Sequence, residues 1–236
     1  VELSEPDVAP MQVQGPKSRP LMISIFGSKI ESLPYYHNME TTLSGMNMLV
    51  TRTGYTGEIG YEIYLRNAQR DGIKLWNTML EAGKSYNISP GGPSLIRRLE
   101  HGIRNYGQDM HLENNPYEVG LGFTVDLDQK ADFIGKEALI QIKGQKLKQK
   151  IVGIEFGTER MKGWNEDCWP VMENGKQIGS VTTAAYSPGL KKNIGFAMLP
   201  IEKTEIGTKI TILARDVKTD ATIIKEPFVK GKEKSI

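Results

Sequence analysis

Hydrophobic and polar positions alternate with period two at the start of the chain, then shift to a period near 3.6. Ala9-Pro-Met-Gln-Val-Gln-Gly15 alternates and breaks at Gly15-Pro16, which predicts a strand followed by a turn. Lys17 to Phe26 reads as a short helix closed by Gly27. Tyr35 to Thr42 and Met46 to Thr51 flank Ser44-Gly45, a hairpin signature, and Tyr61 to Leu65 is a further strand. On that strand Tyr61, Ile63 and Leu65 share one face, while Glu62 and Tyr64 share the other. If the Tyr61 face packs into the core, Glu62 is expected to point into a cavity beside the Gly54–Gly60 turn.

The helical period then takes over. Ile73, Trp76, Met79 and Leu80 define an apolar stripe ending at Gly83. Leu95, Leu99, Gly102 and Ile103 mark a second helix after Pro90-Gly-Gly-Pro93, and Lys136 to Ile142 a third. Gln141 to Lys150 is basic and polar and reads as an inter-domain connection. Beyond it come short β-like segments: Lys150–Phe156, Pro170–Glu173, Lys176–Thr183, Asn193–Met198, Lys209–Ala214 and Ala221–Glu226. The predicted class is α+β, an α/β portion over residues 1–147 followed by a small all-β barrel over 148–236. The polar tail from Lys230 to Ser235 is expected to fray.

Composition changes this picture by exclusion. The chain has 236 residues, 39% of them hydrophobic, and a formal net charge of +2. That balance is unlike a dedicated nucleic-acid binder, and no apolar run is long enough to span a membrane. One cysteine, Cys168, excludes an internal disulfide and suits a reducing compartment, the cytoplasm or an organelle matrix, of which the cytoplasm is the expectation. The tryptophans at 164 and 169 suggest that Cys168 is packed rather than reactive. His37, His101 and His111 lack metal-ligand spacing, so no metal site is expected. The opening Val1-Glu2-Leu3-Ser4-Glu5 has no initiator Met and no signal-peptide pattern, and reads as cut into from a longer protein.

Two stretches are dense in candidate chemistry. Arg52-Thr-Gly-Tyr-Thr-Gly-Glu-Ile-Gly-Tyr-Glu-Ile-Tyr64 packs glycines and tyrosines around Glu58 and Glu62. The glycine spacing is GxxGxxG and precedes a strand, which argues against a dinucleotide-binding loop. A carboxylate here could meet adjacent N–H donors of a pterin or guanine edge, with Tyr55 available to stack. The plainer alternative is a Gly-rich turn with both glutamates in water. Arg97 and Arg98 could hold an anionic ligand tail, or pair with Glu100 and the loop that follows.

In order along the chain, Val13-Gln-Gly-Pro16, Arg52-Thr-Gly-Tyr-Thr-Gly-Glu58 with Gly60-Tyr-Glu62, and Arg98-Leu-Glu100 with Tyr106-Gly-Gln-Asp109 resemble the glycine-cleavage T-protein (aminomethyltransferase) family of tetrahydrofolate-dependent enzymes. Asn115-Pro116, Glu118, Phe133-Ile-Gly-Lys-Glu137, Ile178-Gly-Ser-Val-Thr182, Ser187-Pro-Gly-Leu-Lys-Lys-Asn193 and Glu226-Pro-Phe-Val229 continue the match. The resemblance implies folate-binding α+β domains followed by a C-terminal barrel, with tetrahydrofolate as cofactor. It implies Glu62 as the residue that grips the pterin, Glu58 and Tyr55 beside it, and Arg98 or Arg97 toward the folate tail.

Two departures matter. The family's usual Arg-Asp pair is here Ser94-Leu95, and the family's catalytic aspartate lies in an N-terminal region before this sequence, so the catalytic residues are unassigned. The activity implied is aminomethyl transfer from a lipoyl-protein donor to folate. The alternative, suggested by Ser94-Leu-Ile-Arg-Arg-Leu-Glu100, is demethylation of a small sulfonium donor such as dimethylsulfoniopropionate. The folate domain of a dimethylglycine or sarcosine oxidising flavoenzyme and a non-catalytic folate-binding module remain further alternatives.

Overall fold

The computed structural model describes residues 3–232, which form two compact units: 3–94 with 230–232, and 95–229. Segment 95–147, which the sequence reading joins to the α/β portion, packs in the same unit as the barrel. Of the expected fraying tail, residues 233–235 lie outside the described residues.

The first unit is a four-stranded antiparallel sheet with two helices. Strands β1 (Val8–Gln14), β2 (Asn38–Leu43), β3 (Met46–Thr51) and β4 (Gly60–Arg66) lie in the order β1-β4-β3-β2. The β2–β3 turn places Ser44 and Gly45 at φ 49° and 80°, the left-handed pair that a two-residue hairpin requires. Alternation sorts the faces as the sequence predicts. Tyr61, Ile63 and Leu65 are at most 1% exposed, and they join Val13, Met48 and Val50 in one core. Helices α1 (Ser18–Phe26) and α2 (Ala68–Gly83) supply Leu21, Met22, Leu75 and Met79 to that core. The Asp7 carboxylate accepts from Gln69 N, satisfying a donor that the first turn of α2 leaves open.

The stripe predicted for α2 is corrected. Leu75 and Met79 are its buried apolar residues, whereas Ile73 is 80% and Trp76 43% exposed. At 3.6 residues per turn, 75 and 79 stack on one face, 76 falls at its edge and 73 on the opposite side.

The second unit opens with α3 (Leu95–Glu100) and α4 (Lys136–Lys143) and continues into strands alone, apart from single 3₁₀ turns. Strands β5 (Gln149–Phe156), β6 (Trp169–Glu173), β7 (Lys176–Ser187), β8 (Lys192–Pro200), β9 (Lys209–Ala214) and β10 (Val217–Ile224) close into a barrel, β10-β5-β8-β7-β6-β9, with every pairing antiparallel. Val171, Val181, Ala197, Ile212 and Ile223 fill its interior. Closure leaves no strand edge exposed. The fold is therefore α+β with a terminal all-β barrel. The packing inferred around Cys168 is also corrected. Trp169, the first residue of β6, points into the barrel core, but Cys168 and Trp164, in the segment before that strand, are exposed.

Candidate functional site

Glu62 sits on the outer face of the four-stranded sheet, opposite Gln12 on β1 and Thr51 on β3. Gln12 Nε2 donates to Glu62 Oε1 at 2.7 Å. Thr53 Oγ1 donates to Oε2 at 2.5 Å and Tyr64 Oη to the same oxygen at 3.2 Å. All three donors are uncharged. Burial and the neighbouring carboxylate push the Tyr64 phenol above its ordinary range, so it remains a proton donor. The result is a half-buried carboxylate, aligned by hydrogen bonds with its charge left largely uncompensated. Such a group favours ligands bearing N–H donors.

The glycines of the turn have a specific use. Gln14 lies across from Gly60 in the β1–β4 ladder, and its amide fills the space that a Cβ at either Gly54 or Gly60 would occupy. Gln14 Oε1 accepts from Thr56 Oγ1 at 2.9 Å, and Gln14 Nε2 donates to Thr53 O at 3.3 Å. One side chain thus fastens the turn to the strand that carries Glu62. Gly57 at φ 69° makes the bend between Thr56 and Glu58. Glu58 is partly buried, and Lys232 Nζ lies 3.6 Å from its Oε1. Tyr55 is partly exposed on the same turn. The structure therefore gathers Tyr55, Glu58 and Glu62 in one unit. Gln12, Gln14 and Thr53 are additions to the sequence reading. The signals that could have found them are the alternation of Gln12 and Gln14 on β1, which sets both opposite β4, and the position of Thr53 within Arg52-Thr-Gly-Tyr-Thr-Gly-Glu58.

Arg97 and Arg98 belong to the other unit. Arg97 is exposed, while Arg98 is fully buried. Arg98 Nη1 donates to Asp109 Oδ2 at 2.6 Å and to Ile103 O at 3.0 Å. Its Nη2 donates to Gln108 Oε1 and Thr183 Oγ1 at 2.8 and 2.9 Å. Asp109 Oδ1 accepts from Thr182 Oγ1 and Thr183 Oγ1, so both sides of the pair are met by further hydrogen bonds. This is the geometry in which a desolvated ion pair holds. Glu100 turns instead to Ser187, whose Oγ donates to it at 2.5 Å. Among the described residues no group of three His, Cys, Asp or Glu side chains is placed to hold a metal, and no helix is long and apolar enough to cross a membrane.

The chain combines a sheet unit, which presents a carboxylate with uncharged donors beside a glycine turn, and a unit built on a closed antiparallel barrel. Residues 1–129 match the model of the GCVT N-terminal domain, and residues 149–230 that of the glycine cleavage T-protein C-terminal barrel domain. The chain belongs to the glycine cleavage T-protein family. It is similar to the aminomethyltransferase of Halothermothrix orenii, 36% identical over 221 residues that cover 93% of this chain and 60% of that protein. The aminomethyltransferase of Bacillus subtilis is 36% identical over 94% of this chain and 61% of its own length. The chain thus spans about 60% of the length of these curated relatives. In fold it is similar to the glycine cleavage system aminomethyltransferase T of Bartonella henselae, with a TM-score of 0.75 at 21% identity over 95% of this chain and 60% of that one.

Proposed function

We propose that the chain forms the folate-binding and barrel parts of a tetrahydrofolate-dependent one-carbon transferase that accepts an aminomethyl group from a lipoyl-protein donor. The support is the ordered match of both family models, 1–129 and 149–230, to a chain whose Glu62 accepts from the uncharged donors of Gln12, Thr53 and Tyr64. The site's chemistry fits the cofactor, because a carboxylate held by neutral groups suits the paired N–H donors of a pterin. Bound tetrahydrofolate would supply the nitrogen that takes up the one-carbon unit. Glu62 holds the pterin, Gln12 and Thr53 fix the carboxylate's orientation, and Tyr55 and Glu58 border the ring. By the family resemblance, Arg97 is assigned toward the folate tail. Arg98, turned inward to Asp109, acts by positioning its helix. The proposed domain boundary is the α4–β5 connection, residues 1–147 against 148–236, in line with the gap between the two family models. The exposed thiol of Cys168 suits a cytoplasmic setting.

The test is folate titration by calorimetry on the full natural protein and two variants. Glu62→Gln replaces an acceptor with a donor and should weaken binding at least ~10-fold, about 1.4 kcal/mol, with the ligand-free melting temperature nearly unchanged. Glu58→Gln should do less. Unchanged affinity in Glu62→Gln would sink the assignment, and a loss confined to Glu58→Gln would move it to the other carboxylate. A second reading, transfer of a methyl group from a small sulfonium donor, is favoured by Ser94-Leu95 in place of the family's Arg-Asp pair. Turnover of lipoyl-protein against sulfonium donors separates the two.

A further inference from the structure

Within the barrel unit a cavity of about 420 Å³ opens beside Arg104, in the size range of small-molecule sites. The Arg104 side chain is only 7% exposed. Its Nη2 donates to Glu226 Oε2 at 2.5 Å, its Nε points to Val119 O, and its plane lies 3.8 Å above the centre of the Phe196 ring. Its Nη1 is buried and meets no acceptor among the described residues. A guanidinium held on three sides, with one buried donor lacking an acceptor, is an incomplete hydrogen-bond arrangement of the kind that a ligand oxygen completes.

The rest of the wall points to the charge of that ligand. Lys150 and Lys225 line the same cavity, so three cations stand against the single carboxylate of Glu226. Asp109, the nearby buried acid, is engaged by Arg98. His101 also lines the cavity, with its Nδ1 held 2.8 Å from Arg97 O. Ile206, 63% exposed, and Ile224 supply an apolar side to the same space. We propose that this cavity binds a phosphate group, free or carried on a small organic molecule, between the Arg104 guanidinium and the ammonium groups of Lys150 and Lys225. A cationic excess of two matches a dianion, and arginine and lysine together are suited to phosphate oxygens. The apolar wall accepts the carbon portion of an organic phosphate. The site lies wholly within the barrel unit and does not depend on the folate reading.

The experiment is calorimetric titration of the full natural protein with inorganic phosphate and with glycerol 3-phosphate, at matched ionic strength set by chloride. One saturable site is expected. Tighter binding of glycerol 3-phosphate identifies an organic phosphate as the ligand, and equal affinity identifies the free ion. Lys150→Ala and Lys225→Ala, both at exposed positions, should each weaken binding about tenfold without moving the melting temperature. Arg104→Met alone strands Glu226 in the interior, so it is tested as the pair Arg104→Met with Glu226→Met, which should abolish saturable binding. Absence of saturation in the natural protein, or unchanged affinity in the lysine variants and the folded double variant, overturns the proposal.

Discussion

Glu62 in the sheet unit and Asp109 in the barrel unit are carboxylates in opposite circumstances. Asp109 is 2% exposed and faces a guanidinium 2.6 Å away, with three hydroxyl or amide donors completing its shell. Glu62 is half-buried and accepts, among the described residues, from the uncharged groups of Gln12, Thr53 and Tyr64. The first has its charge neutralised within the protein and contributes to architecture. The second is oriented by uncharged donors, which is the basis for proposing it as the pterin-binding acid. What distinguishes them is the charge of the nearest donors.

The sharpest way to break this contrast is to remove one member of the buried pair. Arg98→Met leaves Asp109 uncompensated in the interior and should cost about 3–5 kcal/mol of stability in urea unfolding. A loss below about 1 kcal/mol would mean that the threonine hydroxyls alone can hold Asp109, and the contrast with Glu62 would collapse. On the sheet side, Gly60→Ala places a methyl in the space of the Gln14 amide and should cost about 1–3 kcal/mol. Repeating it in a Gln14→Ala background should recover most of that loss. If it does not, Gln14 is not what the glycine accommodates.

Glu226 supplies an intermediate case with a smaller effect. Burial raises its carboxyl above the ordinary 4.5, against the opposing pull of Arg104 and Lys150. A carboxyl that binds its proton more tightly in the folded state favours folding most below pH 4.5, and that contribution is lost as pH rises through the raised value. The stability of the natural protein relative to Glu226→Gln should therefore decline as pH climbs above about 4.5. A difference that grows with pH would show that the attraction of Arg104 outweighs burial.

The local grammar of the fold was legible from sequence where one short-range rule decides it. Period-two alternation placed Tyr61, Ile63 and Leu65 inward and Glu62 outward, and Ser44-Gly45 marked the hairpin. Legibility failed where two faces of one element competed. In α2 the stripe through Ile73 and Trp76 is as apolar as that through Leu75 and Met79, and only the sheet beneath selects between them. The Arg98 pair was out of reach for another reason: Thr182 and Thr183 lie more than seventy residues from Asp109 and Arg98 along the chain. At Cys168, the tryptophans at 164 and 169 suggested a packed site, yet only Trp169 enters the barrel with β6, while Trp164 stays exposed in the loop before it.

Closure of the barrel also dictates an order of events during synthesis. Strand β5 is made first, yet its two neighbours are β8 and β10, among the last segments to be added. At about 5–20 residues per second on the ribosome, β5 waits on the order of seconds for its first partner. During that interval its Val152 and Ile154, bound for the barrel core, are without the strands that later flank them. The β2–β3 hairpin of the sheet unit pairs as soon as its turn emerges. The nascent β5 strand, like β1, whose partner β4 also follows at a distance, is thus a part of this chain that chaperone shielding protects while it is being made.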